Sequence, residues 1–179
     1  MHCAKLTICT AWALVALTAP AAADEPVPVL QVAESWHIDH ATYHVQGLCV
    51  SEDSFWISSV ERREHNGWVF RVDRPTLRVV QRRRLVFGPQ YHPGGMQQVN
   101  GNLWVPVAEY RPRSSTSLVR LDAQTLKTKR TLALDDHIGA LAADNRGTLY
   151  AANWDSRQFY VLDERGTVIK RVDNPTAVA

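Results

Sequence analysis

The chain has 179 residues, 45% of them hydrophobic, with 20 Lys and Arg against 18 Asp and Glu. A net charge of +2 gives no global basic surface for nucleic acid, and the length suits one domain with its own core. No run beyond the N-terminus is apolar enough to span a bilayer, so no membrane-embedded part is expected.

Residues 1–23 read as an export leader. Lys5 supplies a positive start and residues 7–19 an apolar stretch too short for a membrane span. Ala21-Ala22-Ala23 then gives an Ala-x-Ala cleavage site before Asp24. A periplasmic or secreted protein is expected. Removing the leader takes away Lys5, Cys3 and Cys9, leaving 19 basic against 18 acidic side chains and Cys49 alone. No intramolecular disulfide can then form. Flanked by Leu48 and Val50, Cys49 reads as a small buried hydrophobe. Residues 24–39 follow as an N-terminal extension, with 29–38 read as a lone strand of the kind that closes a ring.

From residue 40 a phrase is written three times. His44-Val45-Gln46-Gly47-Leu48, His92-Pro93-Gly94-Gly95-Met96 and His137-Ile138-Gly139-Ala140-Leu141 share the form His-x-x-[Gly/Ala]-[Leu/Met], with histidines 48 and 45 residues apart. After each phrase comes a turn rich in Asn, Asp or Gly, as tight hairpins require. A second strand follows with an aromatic at a fixed place: Trp56, Trp104 and Tyr150. These three are expected in the blade core. Third strands end in Asp73, Asp122 and Asp163, each before a polar turn and a fourth strand.

Four short antiparallel strands at a period of about 40–50 residues are the pattern of a propeller blade. The expected fold is therefore all-β, a β-propeller with three four-stranded blades: 40–89, 90–133 and 134–173. Residues 174–179 read as a linker toward a missing blade. Closed propellers typically need at least four blades, so an incomplete ring is expected, with missing blades or self-association covering two open blade faces. Arg82-Arg83-Arg84 and Lys127-Thr128-Lys129-Arg130 fall on or beside outermost strands. There, charge suppresses edge-to-edge pairing.

In an up-and-down blade, the start of strand one and the loop after strand two lie at the same end. Those loops also repeat: Glu61-Arg62-Arg63, Glu109-Tyr110-Arg111 and Asp155-Ser156-Arg157, each [Asp/Glu]-x-Arg. A ring of His44, His92 and His137 with Glu61, Glu109 and Asp155 and with Arg63, Arg111 and Arg157 is expected at one mouth of the channel. Loops on a rigid scaffold are where ligand sites collect. Three neutral imidazoles can hold zinc, so His44, His92 and His137 are also candidate ligands of a divalent metal. The structural alternative has each His bonded to a carbonyl between blades, and the acid–Arg pairs forming a belt that locks neighbouring blades. Gly94-Gly95 would allow close backbone approach or positive φ.

The unit [His/Pro]-x-Gly-[Leu/Ile/Met], turn, Leu-[Trp/Tyr]-[Val/Ala], then Val-Asp resembles the blades of six-bladed NHL-repeat, strictosidine-synthase-like and gluconolactonase-like propellers. Tyr91-His92-Pro93-Gly94-Gly95-Met96, residues 104–112 and Asp135-Asp136-His137-Ile138-Gly139 look like a family of secreted bacterial propeller proteins with no assigned function. The resemblance spans roughly residues 40–173. It implies a six-bladed ring in the full-length protein, of which this chain would be a piece, and it carries no activity. The first functional expectation is an exported propeller binding a small molecule or protein at the His- and Arg-lined mouth. A metal-dependent hydrolase or lyase of the lactonase or esterase type is the alternative, and a structural interaction module the second.

Overall fold

The structure, a computed structural model, describes residues 29–176. The leader 1–23 and the last three residues of the expected linker lie outside them. Residues 29–35 by themselves carry no regular secondary structure, and residues 29–38 join no sheet. The lone strand expected there is not formed, because a strand exists only as part of a hydrogen-bonded ladder.

The rest is all-β. Strands β1 (His44–Val50), β2 (Ser54–Glu61), β3 (Asn66–Asp73) and β4 (Arg78–Arg84) form one antiparallel sheet in chain order. The second sheet holds β5 (Gln90–Pro93), β6 (Gln97–Val99), β7 (Asn102–Glu109), β8 (Thr116–Asp122) and β9 (Thr128–Leu134). Here β5 and β6 both pair with β7, as two halves of one broken innermost strand. The third sheet is β10 (Ile138–Ala143), β11 (Leu149–Asn153), β12 (Gln158–Leu162) and β13 (Val168–Asp173). These are three blades of a β-propeller. No helix among the described residues is long and apolar enough to cross a membrane.

Turn chemistry sets the blade outline. Asp122 Oδ1 accepts from the backbone N–H of Gln124 and of Thr125, and Asp73 and Asp163 do the same work in their own turns. Leu77 and Leu126 close two of these turns at φ 54°, where the third blade has Gly166. The fourth strands begin just beyond these turns, at Arg78, Thr128 and Val168.

Period-2 alternation sends neighbouring side chains to opposite blade faces. Leu103, Val105 and Val107 of β7 pack with Trp56 of blade 1, while Trp104 packs with Ile138, Leu149 and Tyr160 of blade 3. The Trp56 indole N–H also donates to Ala123 O of blade 2 at 2.9 Å. Tyr150 occupies the equivalent position in blade 3, yet it is 47% exposed. Expected in the core, it lies outside it because no further sheet among the described residues packs on that face. Cys49 is likewise only half-buried, its Sγ accepting the Gln98 N–H at 3.1 Å.

The outer face of blade 1 is covered in part. Phe55, Ile57, Phe70 and Val72 form its core with Ile38. Trp36 stands 6.0 Å from Phe55, and His40 edges onto Phe70 at 5.1 Å. Leu48 and Val50, which pair with Ile57 and Phe55 on this face, stay 59% and 54% exposed.

The repeated Gly/Ala marks the close approach of the innermost strands. Gly95 N–H donates to Gly139 O at 2.8 Å, and Leu141 N–H returns the bond to Gly95 O at 3.0 Å. Ser58 Oγ donates to Gly94 O at 2.7 Å. A Cβ on Gly94 would lie 2.1 Å from Gly139 O, well inside contact distance. Neither Gly94 nor Gly95 takes a positive φ. Proximity is their use.

Candidate functional site

Strand register puts each His beside an [Asp/Glu]-x-Arg loop. His44 pairs with Val60, His92 with Ala108, and Ile138 with Asn153, so the loops leave β2, β7 and β11 at the end where the His phrases begin. Within that shared end the histidines differ sharply. His44 is exposed and takes a hydrogen bond on Nδ1 from the Gln46 amide at 2.8 Å. His92 and His137 lie together, ring centroids 5.5 Å apart.

His137 is 1% exposed, and its Nδ1 sits 2.8 Å from Arg111 O. A carbonyl can only accept, which assigns the ring proton to Nδ1. Ser114 Oγ lies 3.2 Å away on the same side. This is the carbonyl bond between blades expected of a structural His, and of the three phrases only His137 makes it. His92 Nδ1 is buried with no partner among the described residues. Burial pulls the His92 pKa down to about 4, helped by the nearby His137 and His44. Burial also lowers His137, against the opposing pull of Arg111 O and Asp136. Both rings are neutral at pH 7.

Among the described residues no three His, Cys, Asp or Glu side chains are placed to share an ion. His44 stands exposed, apart from the paired rings of His92 and His137.

The acid–Arg pairs are local as well, not a belt between blades. Glu109 holds Arg111 at 2.8 Å, and this guanidinium is the main reason its carboxyl titrates below the usual range. Asp155 and Arg157 stand 3.8 Å apart within one loop. In blade 1 the pair is not made. Glu61 instead accepts from the Trp68 indole (3.0 Å) and the Asn66 amide (2.9 Å), which lower its pKa in that order, and Arg63 turns to Glu64. An acid with its donors inside its own hairpin has no need of the next blade.

Sequence reasoning missed the aromatic company of these groups. His65 stacks on Tyr91 (4.8 Å), Tyr91 on Tyr110 (6.1 Å), and Tyr110 meets His92 edge-on (4.7 Å). Beyond His137 the row ends on Trp154 at 4.6 Å, having crossed all three blades. Arg62 caps Tyr110 from 5.2 Å. The available signal was position: Tyr91 precedes a phrase histidine, Tyr110 is the middle of a loop motif, and Trp154 precedes another.

Each loop motif borders its own recess. Glu61 and Arg63 line one of about 380 Å³ with His44, and Glu109 and Arg111 line one of about 440 Å³. Asp155 and Arg157 line a larger one of about 600 Å³, between the blade 2 and blade 3 loops. Its rim departs from regular geometry. Asp155 and Ser156 follow one another at φ 59° and 52°, and Arg113 opposite takes φ 50°. Left-handed non-glycine residues cost free energy and cluster where ligands are held. Behind the rim, Asp136 accepts from the Tyr160 hydroxyl, from the Asn153 amide at 3.0 Å and from its neighbour's N–H at 2.8 Å. Burial and this carboxylate push the Tyr160 pKa up to about 12.

The computationally designed Ika4 protein shares this fold at a TM-score of 0.57 and 12% identity, over 79% of this chain and 79% of that one. A DUF4623 family protein from Bacteroides eggerthii gives 0.54 at 9% identity, over 74% of this chain and 36% of its own. The Dos1 propeller gives 0.52 at 15% identity, over 70% and 32%. The chain thus spans about a third of the length of the last two, and identities this low speak to fold alone. None of the curated proteins matches the sequence. Residues 25–176 match the model of the Family of unknown function (DUF6454), and the chain belongs to that family.

Proposed function

We propose that this propeller is a binding module whose mouth, between the blade 2 and blade 3 loops, takes a small polar molecule. One observation carries the reading. The Asp155–Arg157 loop borders a recess of about 600 Å³, within the roughly 300–1,000 Å³ of small-molecule sites, and its left-handed Asp155 and Ser156 are held in costly geometry. The fixed Asp136–Tyr160–Asn153 network behind it supplies the rigid support a binding loop needs. The lactonase- or esterase-type alternative gains no support, since its metal trio is not assembled among the described residues.

A thermal-shift screen of polar small molecules tests this. Binders should raise the melting temperature of the parent by several degrees and leave an Asp155→Ala/Arg157→Ala double variant unmoved. A screen that gives no binder, or binders that shift both proteins alike, overturns it. The reading includes export, supported by the leader pattern of residues 1–23. Mass analysis of the chain recovered from its producing cells should find Asp24 as the first residue, and a retained Met1 would remove that part.

A further inference from the structure

We infer that the ligand of the blade 2–blade 3 recess is a saccharide, held by its ring face on Trp154 and by its hydroxyls on Asp155, Asp173, Arg113 and Arg157. This rests on the binding reading above and names the class of molecule that the lining selects. Trp154 borders the recess, and its ring meets the buried His137 ring at 4.6 Å with the two planes near perpendicular. An indole in such a lining has a broad apolar face, which suits the C–H face of a sugar ring. Pro112 extends the apolar part of the lining.

The polar part is mixed and largely self-compensated. Three carboxylates and two guanidiniums reach the recess. Asp155 faces Arg157 at 3.8 Å, Asp173 takes the Gln158 amide at 2.8 Å, and Asp136 is occupied by Tyr160 and Asn153. A ligand therefore need not bring a charge of its own. Asp155 and Arg157 are each 59% exposed, so both keep free oxygens and N–H groups beside each other. Adjacent donors and acceptors on a carboxylate–guanidinium pair match neighbouring hydroxyls, each of which both donates and accepts. An anionic metabolite would meet three carboxylates, and a cationic one two guanidiniums. The uncharged polyhydroxylated ring is the molecule for which neither side is a penalty.

Calorimetric titration of the whole chain with glucose, galactose, N-acetylglucosamine, cellobiose and maltose tests this, with arginine and glutamate as charged controls. At least one sugar should bind saturably, with an affinity unchanged within twofold between 50 and 500 mM NaCl, over which the Debye length falls about threefold. Trp154→Ala should weaken it at least tenfold, and so should Asp155→Asn, whose exposed side chain leaves the fold and its melting intact. If only arginine or glutamate binds, with salt-dependent affinity lost in the same variants, the saccharide inference fails while the binding site stands. If no probe binds, or the variants bind like the parent, both fail.

Discussion

Blades 1 and 3 have the same strand order, yet their outer faces meet the surroundings in opposite ways. On blade 1, Trp36, Ile38 and His40 lie over Phe55 and Phe70, and Phe55 is only 8% exposed. On blade 3, Tyr150 and Phe159 are 47% and 41% exposed, beside a shallow apolar recess with Ala142 and Val161. The residue types are comparable, so the difference lies in the neighbour. An aromatic at the repeated second-strand position is core only where another sheet packs against it, as Trp56 and Trp104 show. Burial here is a property of the stack of blades, and a single blade does not own it.

That contrast can be broken by measurement. Trp104→Ala should cost most, ~3–5 kcal/mol in denaturant melts, because it empties the space between two blades. Trp56→Ala should cost as much and also strand the Ala123 carbonyl. A loss below about 1 kcal/mol at either position would mean the blades do not depend on this packing.

The next effect is one of pH. An unfolded His titrates near 6.5, whereas His92 in the fold titrates at about 4. Between those values the unfolded chain holds the extra proton, so stability is complete above about pH 6.5 and falls as the pH drops toward 4. The full difference corresponds to ~3 kcal/mol, which the ring's partial exposure cuts to ~1–2 kcal/mol. His137 pulls the same way. Melts of parent and His92→Gln at pH 7.5 and 4.5 should differ in slope, the variant being flatter. Equal slopes would clear His92 of the effect.

Smaller changes sharpen the two faces themselves. Trp36→Ala should cost about 0.5–1.5 kcal/mol, the worth of an aromatic pair on a half-covered surface. Tyr150→Ala should stay within about 0.5 kcal/mol, as exposed sites do. If Tyr150→Ala instead matched Trp104→Ala, something would be packing on blade 3 in solution.

Much of the blade plan was legible in the residues. Turn chemistry, the recurring Asp and the period of the His phrase led directly to three four-stranded sheets. Gly94-Gly95 was legible only as two options, because close approach and positive φ both select glycine; the contact between Gly94 and Gly139 decides it. Site reading fared differently. Register placed the His phrases and the acid–Arg loops at one end, as strand order demands, but could not say which pairs would close. Glu61 prefers Trp68 and Asn66 over Arg63 because those donors come from its own hairpin partner strand, a tertiary choice with no sequence period. The Trp154 recess was missed for a related reason. It depends on the left-handed Asp155 and Ser156, and neither residue type announces that conformation.

The paired backbone bonds between Gly95, Gly139 and Leu141 have a consequence for how the molecule opens. They run from one blade to the next, so the deuterium clock of these amides reads the separation of two blades and not the fraying of a strand. Slow exchange at Gly95 and Leu141 relative to β13 would make blades 2 and 3 a single cooperative unit. In a repeat architecture otherwise free to lose its units one at a time, that junction ties the two blades bearing the Trp154 recess into one event.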